Sequence, residues 1–160
     1  MELYETSNCI FTNRAIIPTE TKQLCNFLRN IMVFPLSAQK GRKNTKVVFE
    51  IYREKFYELG IYVFKDSFKD NNVSGLCIND YLFPVILINN SMSFARQIFT
   101  LFHEFYNLVS NTSGAEIIRD DYYKYLDVSQ SVTEKSCDTF ANEFLVPTDD
   151  FKIELSKKDI

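Results

Sequence analysis

The residues of this chain best suited to chemistry stand together. Its only histidine, His103, is followed directly by Glu104, and Asn107 comes four positions after the histidine. In a helix, residues four apart lie one above the other on the same face. A His-Glu-x-x-His run uses that spacing to aim two imidazoles at one zinc ion, while the intervening glutamate activates the metal-bound water. Here the run reads His103-Glu104-Phe105-Tyr106-Asn107, so a carboxamide stands where the second imidazole belongs. Catalytic zinc normally takes three good protein ligands and keeps one position open for water. A carboxamide oxygen is neutral and a poorer donor than an imidazole nitrogen, and no second histidine exists to replace it. Taken alone, the pair is weak evidence: His103 reads equally well as a hydrogen-bonded core residue of an apolar helix.

Other chemistries find less support. Cys9, Cys25, Cys77 and Cys137 form no CxxC pair, which argues against a zinc ribbon and gives no disulfide framework. Cys25, Cys77 and Cys137 lie in apolar periodic segments, where a thiol packs as a small hydrophobe. A Cys137–His103 nucleophile is conceivable, with packing the favoured role for the thiol. No nucleophile elbow surrounds any serine, and no Gly-rich phosphate loop is present. A net charge of −3 and a pI near 5.2 give no general attraction to phosphate backbones, so direct nucleic-acid binding is not expected. The basic stretch Lys40, Arg42, Lys43 and Lys46 reads as a solvated connector. The first residues have neither a basic start nor an apolar run, and no stretch of 18 apolar residues occurs. A reducing cytoplasm is the expected setting.

The elements that must position these residues follow from periodicity. Thr19 is expected to cap a first helix in which Leu24, Phe27, Leu28 and Ile31 recur at helical spacing until Phe34-Pro35. Val48, Ile51, Tyr52, Phe56 and Leu59 mark a second, closed by Gly60 as a C-cap glycine. The period then changes. Ile61 to Phe64, Val73 to Ile78 and Leu82 to Ile88 are strand candidates, the last interrupted by Pro84. That proline predicts a strand that lies at an edge or begins after it. Ser93 caps a long helix to about Ser110, with a broad apolar face. Residues 115–130 read as a short helix or ordered loop. Thr133 is expected to start the last strong helix, which Val146-Pro147 breaks, leaving room for another from Thr148.

On these elements the chain resembles a known family. Arg96-Gln97-Ile98-Phe99-Thr100-Leu101-Phe102-His103-Glu104 is similar to the lead-in of the zinc helix in ImmA/IrrE metallopeptidases. The run from Glu134 through Asp138, Phe140-Ala141 and Glu143 to Pro147 resembles that family's crossing helix. Leu59-Gly60-Ile61 with Val63-Phe64, then Ser74-Gly75, then Pro84 with Ile88-Asn89, resemble the sheet before it. The likeness covers roughly residues 47–150.

What the resemblance implies can be carried over by position. His103 matches the first zinc ligand, Glu104 the general base and acid, and Glu134 the third protein ligand. Asp138, one turn on, matches a residue that orients a ligand, and Cys137 stands where the family has a small residue behind the metal. Position 107, a ligand histidine in the family, is asparagine. The implied fold is α+β and zincin-like, of gluzincin type, with two N-terminal helices, a small three-stranded sheet and crossed active-site helices. Residues 1–45 form a helical extension and 46–160 the metallopeptidase-like unit. The implied function is a zinc-dependent endopeptidase acting on a transcriptional repressor or antitoxin-type regulator, in phage, mobile-element or stress regulation. Asn107 implies that this chain is inactive or impaired and holds zinc weakly or not at all. The alternative is a non-catalytic module that binds such a regulator. Val85, Ile86, Leu87 and Ile88 are the expected substrate-pairing residues, if their strand lies at an edge.

Overall fold

Apolar side chains at helical spacing gather four helices around one core. In the computed structural model, which describes residues 9–111, 114–117 and 128–158, helix α1 spans Thr21–Met32, α3 Thr45–Glu58, α4 Phe94–Val109 and α5 Val128–Leu145. Between α1 and α3 a short α2, Leu36–Lys40, occupies part of the stretch expected to be a connector. A last helix, α6, runs from Thr148 to Ser156 after Pro147. Glu20, rather than Thr19, caps α1: its carboxylate accepts the Lys22 and Gln23 amides at 3.0 and 2.8 Å. Helix α5 begins at Val128, ahead of the expected Thr133. Ser93 does cap α4, accepting from the Arg96 amide. Gly60 closes α3 at φ +77°, where a side chain would strike the Cys9 backbone at 2.6 Å.

The core is aromatic. Tyr52 and Phe56 of α3, Phe102 and Phe105 of α4, and Phe140 and Phe144 of α5 are fully buried together. Phe102 stacks on Phe144 at 4.2 Å, and Tyr52 meets Phe102 edge-on at 4.8 Å. Phe11, Leu24, Leu28 and Phe34 belong to the same cluster, so the segment before residue 46 packs into the core. Arg14, in the 3-10 segment Ile10–Ile16, donates to the Leu108 and Val109 carbonyls at the end of α4. Such carbonyls have no partner within the helix.

The three expected strands form as β1 (Tyr62–Asp66), β2 (Val73–Ile78) and β3 (Val85–Asn89). A fourth, β4 (Gly114–Ile117), follows α4 and joins the sheet where a loop or short helix was expected. The order is β1-β3-β2-β4, with β1 parallel to β3 and the other pairs antiparallel. The edge placement of β3 is therefore corrected. Val85, Ile86, Leu87 and Ile88 are paired on both sides, with Tyr62 to Lys65 of β1 and with Gly75 to Ile78 of β2, leaving no free edge for a substrate. Pro84 stands just before the first paired residue, where its missing N–H costs nothing, and its carbonyl accepts the Tyr62 amide.

Helix α4 lies closest to β2, and Gly75 sets how close. A Cβ at Gly75 would come within 2.4 Å of Thr100 Cγ2 and 3.0 Å of the Leu87 carbonyl oxygen. The absent side chain lets α4 settle onto the sheet one turn before His103. No helix among the described residues is long and apolar enough to cross a membrane.

Candidate active site

Two helices bring the chemistry together. On α4, His103, Glu104 and Asn107 face inward and are at most 3% exposed. On α5, Glu134, Cys137 and Asp138 occupy positions i, i+3 and i+4, which lie on one helical face. The helices cross so that His103 Nε2 lies 3.1 Å from Glu134 Oε2 and His103 Nδ1 lies 2.9 Å from Asp138 Oδ1. The crossing thus brings together His103, Glu134 and Asp138, three residues picked out in the sequence.

Asn107 fills the remaining corner with bonds of its own. Its Nδ2 donates to Glu104 Oε2 at 3.1 Å, and its Oδ1 accepts from Cys137 Sγ at 3.3 Å. The partners fix which way the amide faces, because the carboxylate needs a donor and the thiol an acceptor. Burial pushes the Cys137 thiol far above its ordinary range, and the carboxylates of Glu134, Glu104 and Asp138 push the same way. Cys137 accordingly stays a thiol, which removes it as a nucleophile paired with His103. Its contact with Asn107 was not foreseen from the sequence. The signal was present, since Cys137 shares a helical face with Glu134.

The geometry can be tested against a zinc ion. His103 Nε2 and Glu134 Oε2 are close enough together to share one ion, given metal–ligand bonds of about 2.0–2.2 Å. The third corner does not fit. The Asn107 oxygen is turned to Cys137, and its nitrogen, turned to Glu104, has no lone pair to give. Among the described residues no three His, Cys, Asp or Glu side chains are placed to hold a metal. The residues present do not assemble a three-ligand zinc site.

Crossed helices on a small mixed sheet, with the His-Glu pair on one helix and a glutamate on the other, define the zincin-like metallopeptidase class. Residues 57–159 match the IrrE N-terminal-like domain, well over half of the chain, and the protein belongs to that family. The family is generally zinc-dependent. No curated protein matches the chain.

Proposed function

We propose that this protein is a metallopeptidase-like domain that binds a transcriptional repressor or antitoxin-type regulator in the cytoplasm without cleaving it. The observation that supports this most is the Asn107 amide, which engages the Glu104 carboxylate and the Cys137 thiol at once. A general base must reach the water it activates. Glu104 is instead fully buried and bonded to an amide that replaces a ligand. Zinc retention should be weak or absent for the same reason, because only His103 and Glu134 remain as strong donors. The four buried free cysteines fit a reducing compartment.

Two measurements test this reading. After dialysis against a mild chelator, the purified chain should retain no stoichiometric zinc. Incubated with regulators encoded beside its gene, it should bind one of them and leave it intact. The Asn107→His, Glu104→Gln double variant should bind the same partner with comparable affinity. Retained zinc together with cleavage by the unmodified chain would overturn the proposal in favour of a working endopeptidase.

A further inference from the structure

Strand β1 is one outer edge of the sheet, and its backbone shows what that edge offers. The Tyr62 amide donates to the Pro84 carbonyl and the Asn90 amide to the Asp66 carbonyl. These bonds turn residues 62, 64 and 66 toward β3, so Val63 and Lys65 turn their N–H and C=O groups away from the sheet. Arg53 Nε, reaching across from α3, donates to the Val63 carbonyl at 3.0 Å. No described strand pairs with the rest of this edge.

Beside the edge runs a groove of about 590 Å³ between α3 and β1. One wall carries Glu50, Glu54 and Glu58 beside Arg53, whose guanidinium lies 3.6 Å from Glu50. Glu50 is held by Lys65 at 2.8 Å, and Glu58 lies 3.5 Å from Lys55. Glu54 is exposed and has no ion-pair partner among the described residues. Toward the start of the strand the groove becomes aromatic. Tyr57 packs edge-on against Tyr62 at 5.7 Å, with Tyr57 66% and Phe64 51% exposed.

We propose that this groove docks an extended, basic peptide segment of a protein partner, which adds to β1 as a further strand. The Val63 amide and the Lys65 amide and carbonyl would give the pairing, and alternate side chains would meet the carboxylates and the rings. Lysine or arginine suits both walls, since a cation is attracted to Glu54 and to the faces of Tyr57 and Phe64. An acidic segment would face like charge. None of the lining residues belongs to the His103 site, so the inference goes beyond the function proposed above and stands or falls without it.

The test uses the whole chain labelled with nitrogen-15 and a capped hexapeptide of alternating lysine and valine. Two control peptides replace lysine by glutamate, or carry N-methyl groups on the pairing edge. The lysine peptide should bind and slow amide exchange at Val63 and Lys65 about tenfold near saturation, because a paired amide exchanges only when the strand leaves. Neither control should do so. Glu54→Lys should weaken binding by about five- to tenfold through like-charge repulsion, with an unchanged melting temperature. Absence of binding at millimolar peptide, binding that leaves Val63 and Lys65 unprotected, or equal binding of the acidic peptide would each overturn the proposal. The peptide controls alter the ligand alone, so they decide the matter even if Glu54→Lys fails to fold.

Discussion

Replacing Asn107 by histidine perturbs the site in two opposite directions, which metal can separate. Without zinc the change removes the Nδ2 donor from the buried Glu104 carboxylate and the Oδ1 acceptor from the Cys137 thiol. Leaving a buried polar group unsatisfied costs about 1–3 kcal/mol. The larger ring must also fit a position that is only 3% exposed in the native chain. At about 2–4 °C per kcal/mol for a chain of this size, Asn107→His in chelator should melt roughly 2–12 °C below the parent. With zinc the sign reverses. His103 and residue 107 share a helical face, and Glu134 Oε2 already lies 3.1 Å from His103 Nε2, so the third donor completes a site. A ligand bound only by the native state, at a hundred times its Kd, adds about 2.7 kcal/mol, or roughly 5–10 °C. Differential scanning fluorimetry of parent and variant, each with chelator and with zinc, reads both effects. Adding Glu134→Gln to the variant should abolish the zinc response. If the melting temperature of the histidine variant ignores zinc, or the parent rises as much, the assignment of positions 103, 107 and 134 to one ligand set is wrong.

Three further outcomes follow from the packing. Gly75→Ala places a methyl 2.4 Å from Thr100 Cγ2, and overpacking of this kind should cost about 1–3 kcal/mol by urea denaturation. No loss of stability would show that α4 does not rest on β2 as described. Phe102→Ala removes the ring stacked on Phe144 and met edge-on by Tyr52, and should cost about 3–5 kcal/mol in the same assay. Burial pushes the Tyr52 hydroxyl up to about 12, against the opposing pull of Arg29, while an unfolded tyrosine titrates near 10. The neutral phenol is thus favoured by the fold, so its contribution is whole below about pH 10 and fades as pH rises toward 12, by roughly 2–3 kcal/mol. Urea midpoints at pH 9 and pH 11 should diverge less for Tyr52→Phe than for the parent. Equal divergence would refute the shift.

Much of this arrangement was legible because the information was local. The 3.6-residue rhythm of Leu24, Leu28, Tyr52, Phe56, Phe102 and Phe105 marks the faces that the core buries. Ser93 caps through an amide three residues on and Gly60 ends its helix through its own positive φ, so the sequence suffices for both. Strand order was not legible. Pro84 restricts only its own position, whereas the central place of β3 depends on two partners, one before it and one after it in the chain, that no local pattern names. The start of α5 was misplaced because Val128 to Val132 carry little amphipathic signal ahead of Thr133. At the site, the family likeness singled out Glu134 and Asp138, and the helix crossing supplied the distances. The bond from Cys137 to Asn107 needed the structure, because Cys137 reads as ordinary packing and nothing local pairs it with the asparagine on the other helix.

The hydrogen bonds around His103 bear on how such a site persists. Glu134 and Asp138 lie against its two ring nitrogens, and Asn107 donates to Glu104, so each of these groups partners a buried neighbour. A buried polar group left without a partner costs about 1–3 kcal/mol, a large fraction of the stability of an ordinary domain. These residues therefore serve the folded state through hydrogen bonding alone, whether or not a peptide bond is cut. Asparagine and histidine codons differ in their first base alone. A single nucleotide substitution therefore suffices to exchange the Asn107 amide for an imidazole.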